Sequence, residues 1–185
     1  MAVTPLPAAS VLVLRDEPFE VLMLQRHEKS SFMPNAWVFP GGISEERDAR
    51  LGDGTLLSTM RVTAARETFE ETGVSVEPAQ LVWFSRWITP VGVPKRFDTY
   101  FFLASVSRDQ VATADQSEAV AVQWIHPADA LAAHARREMQ MVFPTLRTLE
   151  SIRDFTSSAA LIDSRRGAVI EPIEPVLVNG KPTLP

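Results

Sequence analysis

Residues 37–74 constrain the fold of this chain more than any other stretch. They begin Trp37-Val38-Phe39-Pro40-Gly41-Gly42 and end Arg66-Glu67-Thr68-Phe69-Glu70-Glu71-Thr72-Gly73-Val74. The opening reads as a short apolar strand entering a Pro-Gly-Gly turn, where absent Cβ atoms let backbone amides and carbonyls approach a ligand. Leu56–Thr72 reads as a helix stopped by Gly73. At about 100° per residue, Val62, Ala65, Phe69 and Thr72 share one side, expected to be buried, while Glu67, Glu70 and Glu71 share the opposite side. These acids are three and four residues apart, so three carboxylates converge within one turn. A row of helix acids is usually a solvated face. Here the crowding of like charge calls for a cation, and hard oxygen donors suit Mg²⁺ or Mn²⁺. Arg66, four residues before Glu70, could also orient that carboxylate.

Composition excludes several classes. Cysteine is absent, which removes disulfides, thiolate catalysis and Cys-ligated zinc. The three histidines, His27, His126 and His134, match no zinc-ligand spacing. A net charge of −5 argues against nucleic acid as a partner, but leaves room for a small phosphorylated substrate whose charge a metal offsets. The first basic residue is Arg15, and residues 11–14 are too short for a signal core or a membrane span. A cytoplasmic protein without a membrane partner is expected. Its 185 residues suit one well-cored domain.

Residues 9–14 and Glu20–Arg26 read as a hairpin around Arg15-Asp16-Glu17-Pro18. Residues 27–35 read as a surface loop, with Phe32 and Met33 packing beneath it or touching substrate. Residues 43–55 read as a loop. Residues 81–89, Phe97–Ser105 and 118–125 read as strands, and residues 127–136 and 144–155 as helices beginning at or near proline. The connection 90–96 carries Lys95 and Arg96, either as phosphate contacts or as a solvated loop; Arg96, between two strands and near Asp98, could equally form a structural ion pair. From residue 167 the tail is proline-rich, with a tight turn expected at Asn179-Gly180. It could pack on the domain or serve a partner, including a second copy in a homodimer.

Gly41-Gly42 followed by Arg66-Glu67-x-x-Glu70-Glu71-x-Gly73-Val74 closely resembles the signature of the Nudix hydrolases, which cleave a nucleoside diphosphate linked to another moiety. The second half matches at every fixed position. In the first half Asp48 stands where glutamate is usual, and the seventeen residues 49–65 replace the usual seven, so no role is carried onto Asp48. The lengthening, around 49–58, includes Gly52-Asp53-Gly54, which can loop out without moving the helix. The resemblance implies an α/β fold, an α/β/α sandwich with a mixed sheet between helices. It implies Mg²⁺ or Mn²⁺ held by Glu67, Glu70, Glu71 and the Gly41 carbonyl, with Gly42 at the substrate and Arg66 and Gly73 structural. The implied chemistry is attack of water on a diphosphate phosphorus. Glu67, Glu70 or Glu118 would act as catalytic carboxylate. Glu118 reads equally as a solvated strand-end acid.

Arg26, Phe32-Met33-Pro34, residues 37–42, the lengthened signature, Trp87-Ile88-Thr89-Pro90, residues 96–102 and Gln123-Trp124 resemble the branch containing the peroxisomal coenzyme A diphosphatase. That branch converts CoA or acyl-CoA to a 4′-phosphopantetheine product and 3′,5′-ADP. On this reading Arg26, Phe32 and Arg96 join Gly42 in binding substrate. ADP-ribose, ADP-sugar or NADH diphosphatases are the rival, because Pro90 lies sixteen residues after Val74 as it often does in ADP-ribose hydrolases. A ligand-binding sensor without turnover is the reading from another class, but such modules commonly lose the carboxylates kept here.

Overall fold

A computed structural model describes residues 3–30 and 32–184. Its centre is β1 (Leu6–Arg15), whose residues from Ala8 to Leu14 are buried. Such an apolar run, interrupted only by Ser10, suits a strand covered on both faces. Leu12 and Leu14 point to one face, with Phe101 and Leu103, and Val11 and Val13 to the other, with Phe102. This is the two-residue period of a strand read as two cores.

The mixed sheet is ordered β3 (Trp37–Val38), β2 (Glu20–Arg26), β1, β6 (Phe97–Ser105), β5 (Val82–Ile88) and β8 (Pro172–Ile173). β1 runs parallel to β6, β5 runs antiparallel to β6, and β7 (Ala119–Ile125) pairs with β2. On one edge of β1 the sheet splits. Leu14 and Arg15 pair with β2, whereas Ala8, Ala9 and Ser10 pair with β4 (Gly41–Ile43). Ser10 helps hold the split by donating from Oγ to the Pro40 carbonyl at 2.8 Å. The glycine turn is thereby fixed at the mouth of a crevice.

Helix α2 (Leu56–Thr72) covers one face through Met60 and Ala64. Helices α3 (Pro127–Ala135), α4 (Phe143–Ile152) and α5 (Ser158–Asp163) cover the other through Ala130, Leu149, Ile152 and Leu161. This is the expected α/β/α sandwich.

Two local expectations need correction, and the sequence leaves a third segment, the tail, open. The segment 43–55 is not all loop, since it holds the end of β4 and helix α1 (Glu46–Leu51). A capping box between Glu45 and Asp48 nucleates α1, and tertiary contacts bury Asp48 completely. The buried side of α2 is also rotated from expectation. Thr59, Met60, Thr63, Ala64, Thr68, Glu71 and Thr72 are buried, and Phe69 is 55% exposed. Threonine hides its polarity here by bonding back along the helix. Thr63 donates to the Thr59 carbonyl, Thr68 to Ala64 and Thr72 to Thr68. Apolar periodicity cannot see such a stripe. Finally, the tail is structured. Beyond α5 it adds β8 to the sheet and forms a hairpin from β9 (Val176–Val178) and β10 (Lys181–Thr183), with the expected turn at Asn179-Gly180 in positive φ.

Candidate active site

The signature is held together by one guanidinium. Arg66 Nε and Nη2 donate to the two carboxylate oxygens of Asp48 at 2.8 and 2.9 Å, a bidentate pair. Its Nη1 reaches Glu67 at 2.8 Å and Glu70 at 2.9 Å, and Nη2 also meets the Ile43 carbonyl at 3.2 Å. Asp48 further accepts from the Thr63 hydroxyl and from the Glu45 N–H, each at 2.9 Å. Burial alone would raise the pKa of Asp48. The bonds from Arg66, Glu45 and Thr63 outweigh it and hold the carboxyl below its ordinary range. Asp48 therefore ties α1 to α2, and the long insertion leaves this junction intact. Gly73 ends α2 at φ +70°, its N–H bonded to the Phe69 carbonyl.

The three helix acids do not stand on one solvated side. Glu70 is exposed and shared between Arg66 and Arg47, Glu67 is half-buried, and Glu71 is 3% exposed. Glu71 Oε2 accepts from the Gly41 N–H at 2.8 Å. Burial raises its pKa to about 8 against that hydrogen bond, with the charges of Glu67 and Glu118 adding to the rise and Arg26 opposing it. Burial also raises Glu67; Arg66 restrains the rise, and the charges of Glu118 and Glu70 add to it. Glu67 and Glu71 of α2 and Glu118, just before β7, thus repel one another, and Glu67 and Glu118 line a cleft. Gly42 leaves the space that Glu67 occupies, since a Cβ there would lie 2.5 Å from its carboxylate.

These donors are hard oxygens and carry a local excess of negative charge, which fits a divalent cation of the Mg²⁺ type. Among the described residues no three acids or histidines are yet drawn together as a metal cage. In this arrangement Arg66 is the cation between Glu67 and Glu70.

The cleft encloses about 850 Å³, and Arg26, Phe32, Gly41, Gly42, Glu67, Glu70 and Glu118 all line it. Arg26 Nε donates to the Phe32 carbonyl at 3.1 Å, and the Phe32 ring meets Phe97 edge-on at 5.1 Å. Arg96 does not reach the cleft, contrary to the expected phosphate contact. It is 6% exposed and donates to the Thr89 carbonyl, the Val3 carbonyl and Glu174 at 2.8, 2.9 and 2.6 Å. Lys95 lines the cleft just ahead of Phe97, Thr99 and Phe101 of β6, and Arg96 does not. Asp48 and Thr63 carried no local signal of their partnership.

A mixed sheet between helices, with a glycine turn and an acidic helix at a split in the sheet, is the architecture that the signature implied. The NUDIX domain model matches residues 4–146, and the chain belongs to the Nudix family. It is 30% identical over 155 residues to a provisionally named nudix hydrolase 7 of Caenorhabditis elegans, covering 65% of this chain and 51% of that protein. To the acyl-coenzyme A diphosphatase NUDT19 of Homo sapiens it is 24% identical over 250 aligned positions, covering 85% of this chain and 67% of that one. The chain thus spans about half to two thirds of these curated relatives. Among solved structures it resembles a NUDIX hydrolase from Alicyclobacillus acidocaldarius, with a TM-score of 0.75 and 23% identity over 87% of this chain and 96% of that one. The NUDIX domain of Shewanella oneidensis NrtR, solved with ADP ribose, shares the fold at a TM-score of 0.62 and 21% identity, covering 82% and 88%.

Proposed function

We propose that this chain is a metal-dependent Nudix hydrolase that cleaves the diphosphate of CoA or an acyl-CoA. The observation that carries the reading is that Glu67, Glu70, Glu118 and the Gly41-Gly42 turn line one cleft, with Glu71 behind them bonded to the Gly41 N–H at 2.8 Å. The likeness to acyl-coenzyme A diphosphatases supports the choice of substrate.

Glu67, Glu70, Glu71 and the Gly41 carbonyl would hold Mg²⁺ or Mn²⁺. Bound there, the ion would make the attacking water more acidic and would offset charge on the diphosphate. The protein's own part is positional. Arg26, half-buried and lining the cleft, presents positive charge to the phosphates. Glu118 or Glu67 accepts the proton of the attacking water as its oxygen bonds phosphorus and the bridging P–O bond breaks. The products are a 4′-phosphopantetheine and 3′,5′-ADP.

The test compares wild type with Glu70→Gln and Glu71→Gln on CoA, octanoyl-CoA, ADP-ribose and NADH with Mg²⁺ or Mn²⁺, reading product identity. We expect CoA esters to lead in kcat/KM and each variant to lose at least about a hundredfold, about 2.7 kcal/mol of barrier. Equal rates for wild type and both variants would exclude the metal-site assignment. A far higher kcat/KM for ADP-ribose would exclude the substrate.

A further inference from the structure

The C-terminal hairpin lies beyond residue 146, where the family match ends, yet it helps wall the same cleft. Its placement follows from three anchors. β8 pairs in parallel with β5, setting Ile173 beside Trp87. Arg96 then grips Glu174 at 2.6 Å while bonding the Thr89 carbonyl. Pro175 is buried, and the Leu177 side chain comes within 3.5 Å of where a Cβ on Gly92 would stand. The hairpin is thereby laid along the 90–95 connection. Leu177 and Pro182 face the cleft there, which Val93, Trp87, Met141 and Phe143 also line. Trp87 and Phe143 meet edge-on at 6.1 Å, making a continuous apolar surface.

We propose that this hairpin end of the cleft is a subsite for the hydrocarbon chain of an acyl thioester, with Leu177 its specificity-determining residue; this deepens the CoA reading and rests on it. The diphosphate belongs at the acidic end, so whatever reaches the hairpin is the far arm of the same molecule. A cleft of about 850 Å³ is near the upper end of small-molecule sites, which span roughly 300–1,000 Å³. A ribose or other sugar needs hydrogen-bond partners for its hydroxyls; Thr89, Lys95 and the Trp87 indole are the donors here, against the apolar Leu177, Pro182, Val93, Met141 and Phe143. An alkyl chain needs none and gains by leaving water. Arg96, expected to bind phosphate, serves instead to fix the wall that reads the opposite end of the substrate.

The experiment uses the full chain as wild type, Leu177→Glu and Leu177→Met. Binding of CoA and octanoyl-CoA is measured by intrinsic tryptophan fluorescence in EDTA, where turnover is suppressed, and kcat and KM are then measured with Mg²⁺. Octanoyl-CoA should bind wild type at least about tenfold more tightly than CoA. Leu177→Glu should erase that preference and raise KM for octanoyl-CoA at least about tenfold more than for CoA, with kcat much less affected. Leu177→Met should restore both. Equal binding of CoA and octanoyl-CoA by wild type, or a Leu177→Glu loss of the same size for both, would overturn the subsite even if CoA is hydrolysed. Hydrolysis of ADP-ribose with no CoA ester cleaved would overturn the function proposed above. The EDTA titration would still decide the subsite on its own.

Discussion

Replacing Arg66 by Met keeps most of the side-chain length and removes the guanidinium. Asp48 is then the group in difficulty, because it is fully buried and loses both of its 2.8–2.9 Å bonds to Arg66. The Thr63 and Glu45 donors remain but carry no charge. Stranding a buried carboxylate costs about 3–5 kcal/mol, and a chain of this size loses about 2–4 °C in Tm per kcal/mol. A fall of about 10 °C is expected by calorimetry, with a matching drop in urea midpoint. Asp48→Asn combined with Arg66→Met should recover about 2 kcal/mol or more, since contacting groups are non-additive. The pH dependence has a definite sign. Asp48 has a folded pKa below its ordinary value, so its stabilisation is complete above the unfolded pKa, about 3.9. It is lost as pH falls through the lower folded value. Arg66→Met should remove that acid limb. A loss under about 1 kcal/mol at neutral pH without metal would refute the view that Arg66 holds Asp48 in place.

Glu71 has the opposite sign. Its folded pKa is raised to about 8, so its contribution is full below the unfolded value and fades as pH rises through 8. Metal-free wild type should therefore lose up to about 4 kcal/mol between pH 4.5 and 9 relative to Glu71→Gln. Parallel Tm–pH curves for the two proteins would contradict this, and millimolar Mg²⁺ should flatten the wild-type curve. Arg96→Met should cost about 1–3 kcal/mol by orphaning buried carbonyls and should speed proteolysis of the tail. A KM for CoA raised more than tenfold with unchanged Tm would instead restore Arg96 to the phosphates.

Much of the architecture was legible in the chain because strands and glycine turns announce themselves locally. Residues 9–14, Glu20–Arg26 and Phe97–Ser105 were readable by apolar and β-branched content, Leu56–Thr72 by its stop at Gly73, and the tail turn by Asn179-Gly180. The acids of the site were legible for the same reason, since i, i+3 and i, i+4 spacing is a property of the helix alone. Which way those acids faced was not legible. The buried stripe of α2 is written in threonines that satisfy their own hydroxyls, so hydrophobic periodicity pointed to Phe69, which stands in water.

What the sequence determined by itself was the inventory: a glycine turn, a charged helix with its arginine, a mixed set of strands, and no cysteine thiol. Only the tertiary structure decided the partnerships. It gave Arg66 to Asp48 across the insertion, sank Glu71 beneath Gly41, separated Lys95 from Arg96 and brought the tail to the far end of the cleft. The physical reason is range. Turn and helix preferences act over a few residues, whereas burial and charge pairing depend on which distant segments the packed sheet brings together.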